Sequence, residues 1–336
     1  MIEAIARLPR TRIGCYPTPL MEAEHLSKVL GGPRILIKRD DLTGLALGGN
    51  KLRKLEFLLA EGHDSYIISG VSNLALALGS ACAKLDIKFR QILSADVASH
   101  EKLGNYYLHQ LLGSDMRITG GDGPVKTLVE AMSERNVALD AEIPRLNEEG
   151  YHPYVMRPFD SPPVENVGWT DAADEIREQL KAKNIEAQYL IITNCQGGTQ
   201  AGLAVGAKYL GYPFKVIGIS NTFNRDKATG EVVRMANETA EFLNLGISFT
   251  PEEITVHDEY IGGGYGKLTR ECVEAIKLVA RTEGFLLDPV YTSKTMAGLI
   301  DLIHKGRFTS KDTVVFIHSG GIPDLFVYHD ELIGQL

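Results

Sequence analysis

Apolar and polar positions along the chain follow two different periods. Short runs rich in Val, Ile, Phe and Tyr predict buried β-strands, and longer stretches with apolar residues three or four apart predict amphipathic helices. The two kinds of segment alternate from residue 34 to residue 320, which predicts an α/β fold of open, twisted parallel sheets with flanking helices. The predicted strands are RILIKRD, SYIISG, FRQILSA, MRITGG, PYVMRP, YLIITN, KVIGIS and TVVFIH.

The predicted helices lie between these strands, and several end in glycine, which readily adopts the left-handed conformation that closes a helix. They cover LRKLEFLLAEG, LALALGSACAKL, NYYLHQLLG, TDAADEIREQLKAK, TQAGLAVGAKYLG, VVRMANETAEFLNLG, KLTRECVEAIKLVARTEG and KTMAGLIDLIHKG. We interpret LALGGN, residues 45–50, and SPPVENVG, residues 161–168, as loops that cross between two lobes. This predicts a large domain over residues 1–50 and 163–336 and a small inserted α/β domain over residues 51–162.

Composition narrows the class of protein. The chain has 336 residues, is 44% hydrophobic and carries a net charge of -8, as expected of a globular protein with two domains. It contains no basic run, which argues against nucleic acid or an anionic membrane surface as a partner and favours a small molecule. Its N-terminus lacks an apolar targeting segment and its four cysteines form no CxxC pair, so we expect a cytoplasmic protein without a metal site.

Two glycine turns each follow a predicted strand. In NCQGGTQAGLAVGAKYLG, residues 194–211, the glycines expose backbone N–H groups where a helix begins, a setting that suits a phosphate. A plain tight turn between strand and helix is the alternative. The segment has neither Walker A nor GxGxxG spacing, which weakens a nucleotide interpretation. The second turn, FIHSGGIPDLF at residues 316–326, lies where open α/β sheets bind ligands.

One lysine stands at a third turn. In LGGNKLRKL, Lys51 follows Gly-Gly-Asn at the start of a predicted helix. A lysine held there, together with a phosphate cradle elsewhere, suits a Schiff base to pyridoxal phosphate. An ordinary surface lysine is the alternative, but it does not account for the Gly-Gly-Asn. Ser72, in SGVSNL, is equally well explained as a helix N-cap, and Tyr265 and Tyr291 as packing residues or as hydroxyls that face a cleft.

The segment IKRDDLTGLALGGNKLRKLEFLLAEG resembles the signature of a family of pyridoxal-phosphate enzymes that contains D-cysteine desulfhydrase and 1-aminocyclopropane-1-carboxylate (ACC) deaminase. The similarity continues in family order through KLGNYYLHQLLG, CQGGTQAGL, DEYIGGGYGKLT, TEGFLLDPVYTSKTMAGLIDLIHKG and FIHSGG. It covers nearly the whole chain. The resemblance implies the tryptophan synthase β-like fold, known as fold type II, and a homodimer.

The resemblance also implies roles for residues. Lys51 would form the Schiff base and Lys54 would reach the phosphate. Ser72 would contact the substrate carboxylate or shuttle a proton, and Asn73 would meet the pyridine hydroxyl. The remaining roles fall to three groups: the phosphate would be wrapped by Gln196, Gly197, Gly198, Thr199 and Gln200, the substrate flanked by Tyr265 and Tyr291, and the ring nitrogen approached by Thr292 and Ser319.

Two departures from the family pattern bear on the substrate. Val71 and Leu74 replace polar residues on either side of Ser72 and Asn73, and Thr292 stands where the ring-opening deaminases carry a glutamate. We therefore expect α,β-elimination from D-cysteine, which gives pyruvate, sulfide and ammonia, with the released amine of the cofactor lysine as the base. ACC deaminase activity, elimination from another substrate such as cysteate, and a non-catalytic ligand-binding relative remain alternatives.

Overall fold

The computed structural model describes residues 2–94, 103–119, 128–158 and 160–335, without the side chains of residues 128–132. The chain divides into two compact units. The large unit comprises Met1–Leu58 and Ser161–Leu336, and the small unit comprises Leu59–Asp160. The division thus falls after residues 58 and 160, whereas we placed it after residues 50 and 162.

Secondary structure up to the end of the small unit follows the predicted alternation. The large unit begins with α1 (Glu3–Ala6), β1 (Leu20–Glu22), α2 (Glu24–Leu30), β2 (Arg34–Arg39), a 3₁₀ turn at Asp40–Leu42 and α3 (Lys51–Leu58). The small unit contains a 3₁₀ turn at Leu59–Glu61, β3 (Ser65–Ser69), α4 (Asn73–Leu85), β4 (Lys88–Ser94), α5 (Gly104–Leu111), β5 (Asp115–Thr119), α6 (Leu128–Glu148) and β6 (Pro153–Met156).

The large unit resumes at residue 161 and again alternates helices and strands. It contains α7 (Pro163–Ala182), β7 (Tyr189–Asn194), α8 (Gly198–Tyr209), β8 (Lys215–Ser220), α9 (Arg225–Phe242), a 3₁₀ turn at Pro251–Glu253, β9 (Thr255–His257), α10 (Arg270–Glu283), α11 (Thr292–His304), β10 (Thr313–His318), α12 (Asp324–Val327) and α13 (His329–Ile333).

Each unit is built on one sheet. In the large unit the strand order is β1-β2-β10-β7-β8-β9, with β1 antiparallel to β2 and every other pair parallel. In the small unit the order is β5-β4-β3-β6 and all pairs are parallel. The predicted α/β fold with parallel sheets and flanking helices is therefore confirmed.

The hydrophobic core of the large unit covers both faces of its sheet. Ile35 and Ile37 of β2 face one cluster with α10 and α11, whereas Leu36 faces a second cluster with α7 and α8. Because successive side chains of a strand point to opposite faces, buried positions on both sides give the continuous apolar runs typical of central parallel strands. The small unit has its own core around Ile67 and Leu139.

Helix α3 belongs to the large unit because it packs closely on α7. A Cβ atom at Gly168 would lie 2.0 Å from the Arg53 carbonyl oxygen, so only glycine allows this approach of the two helices. The glycines before Lys51 predict a crossing between the domains at residues 45–50, which would put α3 in the inserted domain. The crossing instead follows Leu58, the last residue of α3.

Several predicted boundaries were wrong. Residues 161–168 were predicted to be a loop, but α7 begins at Pro163. The short strands β1 and β9 and five helices were not predicted: α1, α2, α6, α12 and α13. The predicted strands FRQILSA and MRITGG end at residues 95 and 121, and residues 95, 120 and 121 lie outside the described residues.

Candidate active site

The loops that follow four strands of the large unit lie side by side. Strands β2, β10, β7 and β8 are consecutive neighbours and run parallel, so their carboxyl ends share one edge of the sheet. The loops at that edge carry Lys51, Ser319 and the turn at residues 195–198. The large unit therefore brings together three of the turns that the sequence singled out, at the edge where open α/β sheets bind ligands.

The turn before Lys51 is fixed by contacts that require glycine. Gly48 has a φ of 70°, and a Cβ atom there would lie 1.9 Å from the Asp41 carbonyl oxygen. Gly49 has a φ of 118°, and a Cβ atom there would lie 3.3 Å from the Ser319 carbonyl oxygen. That oxygen accepts the Asn50 N–H at 3.0 Å. The glycines therefore let the chain fold tightly into α3, with Lys51 as its first residue.

The environment of Lys51 favours its neutral amine. Loss of solvation on burial, and to a smaller extent the charge of Lys54, together lower the pKa of Lys51 to about 8, against smaller opposing contributions from Cys195 and Glu165. A free lysine titrates near 10.5. An appreciable fraction of Lys51 is therefore uncharged near neutral pH, which is what attack on an aldehyde requires.

The turn before α8 has the geometry of a cradle that suits an anion. Gly197 adopts a left-handed conformation, with a φ of 100°, and the first intrahelical bond runs from Ala201 N–H to its carbonyl at 2.8 Å. The N–H groups of residues 198–200 precede that bond and point out of the helix N-terminus, where the helix dipole favours negative charge. Asn50 Nδ2 donates to Thr199 Oγ1 at 3.4 Å and links the cradle to the Lys51 turn.

The two glutamines of CQGGTQ are placed differently. Gln196 is partly accessible beside the cradle. The Gln200 side chain is buried: its Oε1 accepts Asn194 Nδ2 at 2.7 Å, and its Nε2 donates to the Thr255 carbonyl at 2.9 Å. Only the backbone N–H of Gln200 therefore remains for a phosphate, while its side chain ties together β7, β8 and β9.

Lys54 lies close to the cradle in a buried ion pair. Its Nζ is 2.6 Å from Glu165 Oε2 and 3.2 Å from Ser161 Oγ. Ser161 Oγ is in turn 3.4 Å from the position that a Cβ atom would take on Gly198. The cradle thus combines backbone N–H groups, a threonine hydroxyl and a nearby ammonium, a donor set that fits a phosphate monoester.

The two predicted tyrosines are neighbours. Their hydroxyl groups hydrogen-bond to each other, and their rings meet edge to face with centroids 5.9 Å apart. Tyr265 is 46% exposed, whereas burial raises the pKa of Tyr291 well above its usual value. Lys294 Nζ donates to the carbonyls of Ile261 and Gly264 at 2.6 and 2.7 Å, which holds the glycine-rich loop that carries Tyr265.

The predicted ring-nitrogen partners differ in accessibility. Thr292 is fully buried, accepts the Asp288 N–H at 2.8 Å and donates its hydroxyl proton to Asp288 Oδ1 at 2.6 Å. Ser319 is partly accessible. The two loops meet, because a Cβ atom on Gly321 would lie 2.7 Å from Asp288 Cγ. Burial raises the pKa of Asp288 even though three backbone N–H groups and the threonine hydroxyl donate to it.

Ser72 and Asn73 lie in the small unit, at the start of α4. Ser72 Oγ accepts the Ala75 N–H at 3.2 Å, so Ser72 is a helix N-cap, and its hydroxyl proton can still serve as a donor. Asn73 Oδ1 accepts Asn105 Nδ2 at 2.8 Å, which orients the amide of Asn73. The roles of both residues toward substrate and cofactor stay predictions.

Sequence reasoning missed several residues of this site. Cys195 Sγ lies 3.2 Å from Thr222 Oγ1, and because the threonine donates to Asn221 Oδ1 at 3.0 Å, the thiol is the donor to Thr222. Ser161 and Glu165 lie in residues 161–168, for which the sequence predicts a loop. The Pro-Pro pair before Val164 was a usable signal, since proline is favoured in the first turn of a helix.

Metal and membrane features are absent from the described parts of the chain. No group of three or more His, Cys, Asp or Glu side chains there is arranged to hold a metal ion. Of the helices that the structure describes, none has the length and apolar character needed to cross a membrane.

Comparison with known proteins identifies relatives over the full chain. Residues 11–320 match a family described as pyridoxal-phosphate dependent enzyme. A crystal structure described as that of an ACC deaminase homologue is 33% identical, covers 99% of this chain and 98% of its own, and superposes with a TM-score of 0.86. The processed form of threonine deaminase isoform 2 from Solanum lycopersicum is 21% identical over 98% of this chain and 92% of its own, with a TM-score of 0.68.

Proposed function

Because this chain belongs to the pyridoxal-phosphate dependent enzymes of fold type II, we propose that it is a lyase that eliminates a β-substituent from a small amino acid. The preferred substrate is D-cysteine, and the products are pyruvate, sulfide and ammonia. The observation that carries the proposal is Lys51, an amine with a pKa lowered to about 8 at the sheet edge that also holds the glycine cradle. An enzyme that attacks an aldehyde near neutral pH needs such an amine.

The residues have distinct tasks in this proposal. Pyridoxal phosphate, when bound, supplies an electron-withdrawing ring that stabilises negative charge at the substrate α-carbon. Lys51 would hold the cofactor aldehyde, and its free amine would take the α-proton of the substrate. The N–H groups of residues 196–200 and the Lys54 ammonium would hold the phosphate. Ser319 would be a neutral partner of the ring nitrogen.

Other residues act on the substrate or the ring oxygen. Tyr265 and Tyr291 flank the substrate, and their mutual hydrogen bond keeps both hydroxyls on the same side of it. Ser72 donates to the substrate carboxylate. Asn73 donates to the pyridine oxygen, an orientation that suits the amide because its carbonyl accepts from Asn105.

Thr292 favours elimination over ring opening. An acidic side chain at this position would strengthen the electron sink, but the threonine hydroxyl gives its proton to Asp288 instead. Elimination needs a carbanion only until the leaving group departs, so a weaker sink suffices. Opening a cyclopropane asks more of the sink, so Thr292 argues against ACC as the substrate. After D-cysteine, cysteate or another β-substituted alanine comes next, because Val71 and Leu74 alter the surroundings of Ser72 and Asn73. ACC deaminase activity is the alternative reaction.

The assembly and location of the enzyme are also proposals. By resemblance to the family we propose a homodimer, and because the four cysteines are free thiols, as is usual in a reducing compartment, we propose a cytoplasmic enzyme. Light scattering of the purified protein would give its molar mass in solution, and a monomer would contradict the dimer.

A substrate panel tests the reaction. The purified protein is incubated with D-cysteine, L-cysteine, cysteate, β-chloroalanine and ACC, and pyruvate, sulfide and 2-oxobutyrate are measured. We expect pyruvate and sulfide from D-cysteine and no 2-oxobutyrate from ACC. Rapid 2-oxobutyrate from ACC without pyruvate from any other compound would overturn the proposal in favour of a deaminase. A protein that binds the cofactor but turns over none of the five would support a non-catalytic binder.

A further inference from the structure

Lys54 already has an anionic partner inside the chain. Glu165 Oε2 lies 2.6 Å from its Nζ, and Ser161 donates to the same carboxylate oxygen at 2.9 Å. The side chains of Lys54 and Glu165 are only 6% and 3% exposed. Burial of two charges is costly in desolvation, so each of these groups depends strongly on the other.

The same part of α7 forms one wall of the glycine cradle. The Asn166 side-chain carbonyl lies 2.5 Å from the Cβ position of Gly198 and is buried without a hydrogen-bond partner in the described residues. Its orientation is fixed, because Asn166 Nδ2 donates to Thr239 Oγ1 at 3.2 Å and that hydroxyl donates onward to the Met235 carbonyl at 2.7 Å. This wall therefore presents acceptor atoms, from Glu165 and Asn166, toward a site that is otherwise made of donors.

The ammonium of Lys54 cannot give all its donors to a phosphate. It has three N–H groups, of which one is directed to Glu165 and one to Ser161. One remains for a ligand in the cradle. The positive charge of Lys54 is also balanced by Glu165, which lowers the attraction that it exerts on a dianion.

We infer that Glu165 is an internal counter-ion of Lys54 that competes with the cofactor phosphate for this ammonium and so weakens cofactor binding. The inference rests on the proposed function in one respect: it takes residues 196–200 as the phosphate cradle. Glu165 touches neither the aldehyde nor the substrate in this scheme, and it acts on the phosphate through Lys54.

The test compares two ligands that differ only in the phosphate. Dissociation constants for pyridoxal phosphate and for pyridoxal are measured in the wild type and in Glu165→Gln. We expect the variant to bind pyridoxal phosphate roughly tenfold more tightly relative to pyridoxal, because Lys54 regains its full charge toward the ligand. The ratio of the two constants removes any effect on Lys51, which reacts with both aldehydes.

Stability provides a second readout. The cofactor-free Glu165→Gln protein should melt at a lower temperature than the cofactor-free wild type, because the variant leaves Lys54 buried without its counter-ion. Saturating pyridoxal phosphate should raise the melting temperature of the variant by more than it raises that of the wild type. If the variant does not fold, Glu165→Asp can replace it. The aspartate side chain is one methylene shorter, so its carboxylate lies farther from Lys54, and the ratio of the two dissociation constants should shift in the same direction by less.

Two controls isolate the mechanism. In a Lys54→Met background, the change Glu165→Gln should no longer tighten pyridoxal phosphate, since the ammonium is gone. Glu178 lies on the same helix, but its carboxylate is exposed. Glu178→Gln should therefore leave the ratio of the two dissociation constants unchanged. A ratio that stays the same in both Glu165 variants would overturn the inference. A wild type that binds pyridoxal as tightly as pyridoxal phosphate would instead overturn the cradle assignment, and with it the cofactor site of the proposed function.

Discussion

At the scale of single residues, the reactivity of Lys51 depends on the charge and burial that its neighbours impose. The turn before it can form only with glycine at residue 48, where any side chain would meet the Asp41 carbonyl. The helix after it places Lys54 one turn away, and the charge of Lys54 acts on Lys51 in addition to burial. Burial and this like charge both disfavour the charged form of Lys51.

This environment predicts the pH dependence of cofactor attachment. Only the neutral amine reacts with an aldehyde, so the attachment rate should rise with pH, reach half its maximum near pH 8 and level off above it, as the Lys51 pKa of about 8 requires. Lys54→Met should move this midpoint upward, because the like charge that lowers the pKa is removed. The rate can be followed by the visible absorbance of the bound cofactor.

Lys51→Ala is the control for this measurement and should retain no absorbance or mass increment after borohydride reduction. A midpoint near 10.5 would contradict the prediction.

A second residue-scale prediction concerns Gly198. A methyl group there would lie 2.5 Å from Asn166 Oδ1, so Gly198→Ala must displace either the Asn166 amide, which is held by its hydrogen bond to Thr239, or the cradle itself. We expect cofactor affinity to fall at least tenfold, since the N–H groups that meet the phosphate shift with the helix start. Gly230→Ala is a matched control in α9, where a Cβ atom meets nothing within 4 Å, and it should leave the affinity unchanged. Both dissociation constants can be measured by cofactor absorbance. Equal affinity in the two variants would place the phosphate elsewhere.

At the scale of elements, the sequence predicts the strands that are buried on both faces and misses those that are not. Runs such as TVVFIH of β10 are buried at every position, and apolar character alone identifies them. Strands β1 and β9 have three residues each and lie at the sheet edges, so they carry too few residues for a pattern. The predicted helix began at residue 170 instead of residue 163, because residues 164–169 are all buried and show no amphipathic pattern.

The same distinction holds for the site. Glycine turns are legible in sequence because glycine has a conformational reason to be there, which is how Lys51 and the cradle were found. Glu165 and Asn166 were not found, because the local sequence of a polar pair after two prolines does not indicate which neighbours these side chains will contact. Their position depends on the packing of α7 against α8, where Gly202 and Gly206 let the two backbones approach. Such long-range contacts cannot be derived from local pattern.

Helix α3 is held in place by a buried charge network, and this predicts a strong effect of its arginine. Arg53 donates to Asp40 Oδ2 at 2.6 Å and to Glu175 Oε1 at 2.9 Å, and it is 1% exposed. Arg53→Met should lower the free energy of unfolding by about 3–5 kcal/mol, because it removes the guanidinium that pairs with the buried Asp40 and one of the two cations beside Glu175. Arg7→Met removes an exposed ion pair and should cost less than about 1 kcal/mol. Urea unfolding measures both, and a similar small loss in the two variants would contradict the prediction.

At the scale of the whole molecule, the chain is acidic, with a net charge of -8, and several of its carboxylates are buried beside cations. Glu175 contacts both Arg53 and Lys38. Burial by itself would raise the pKa of Glu175, but the charges and hydrogen bonds of these two cations outweigh burial and lower it to about 2. Stability in acid should therefore depend on this carboxylate more than on the many exposed ones.

The sign of the effect follows from linkage. A carboxylate with a lowered pKa in the folded state stabilises the fold fully above its unfolded pKa, here about 4.5, and loses that contribution as the pH falls toward about 2. The wild type should therefore lose unfolding free energy steeply between pH 4.5 and pH 2. Glu175→Gln should be less stable at pH 7, because Arg53 and Lys38 lose a partner, but should fall less steeply across that range, so that the two curves converge. Glu178→Gln, whose carboxylate is exposed, should keep the wild-type slope. Urea unfolding at a series of pH values measures the three slopes, and parallel curves for wild type and Glu175→Gln would show that acid acts on other groups.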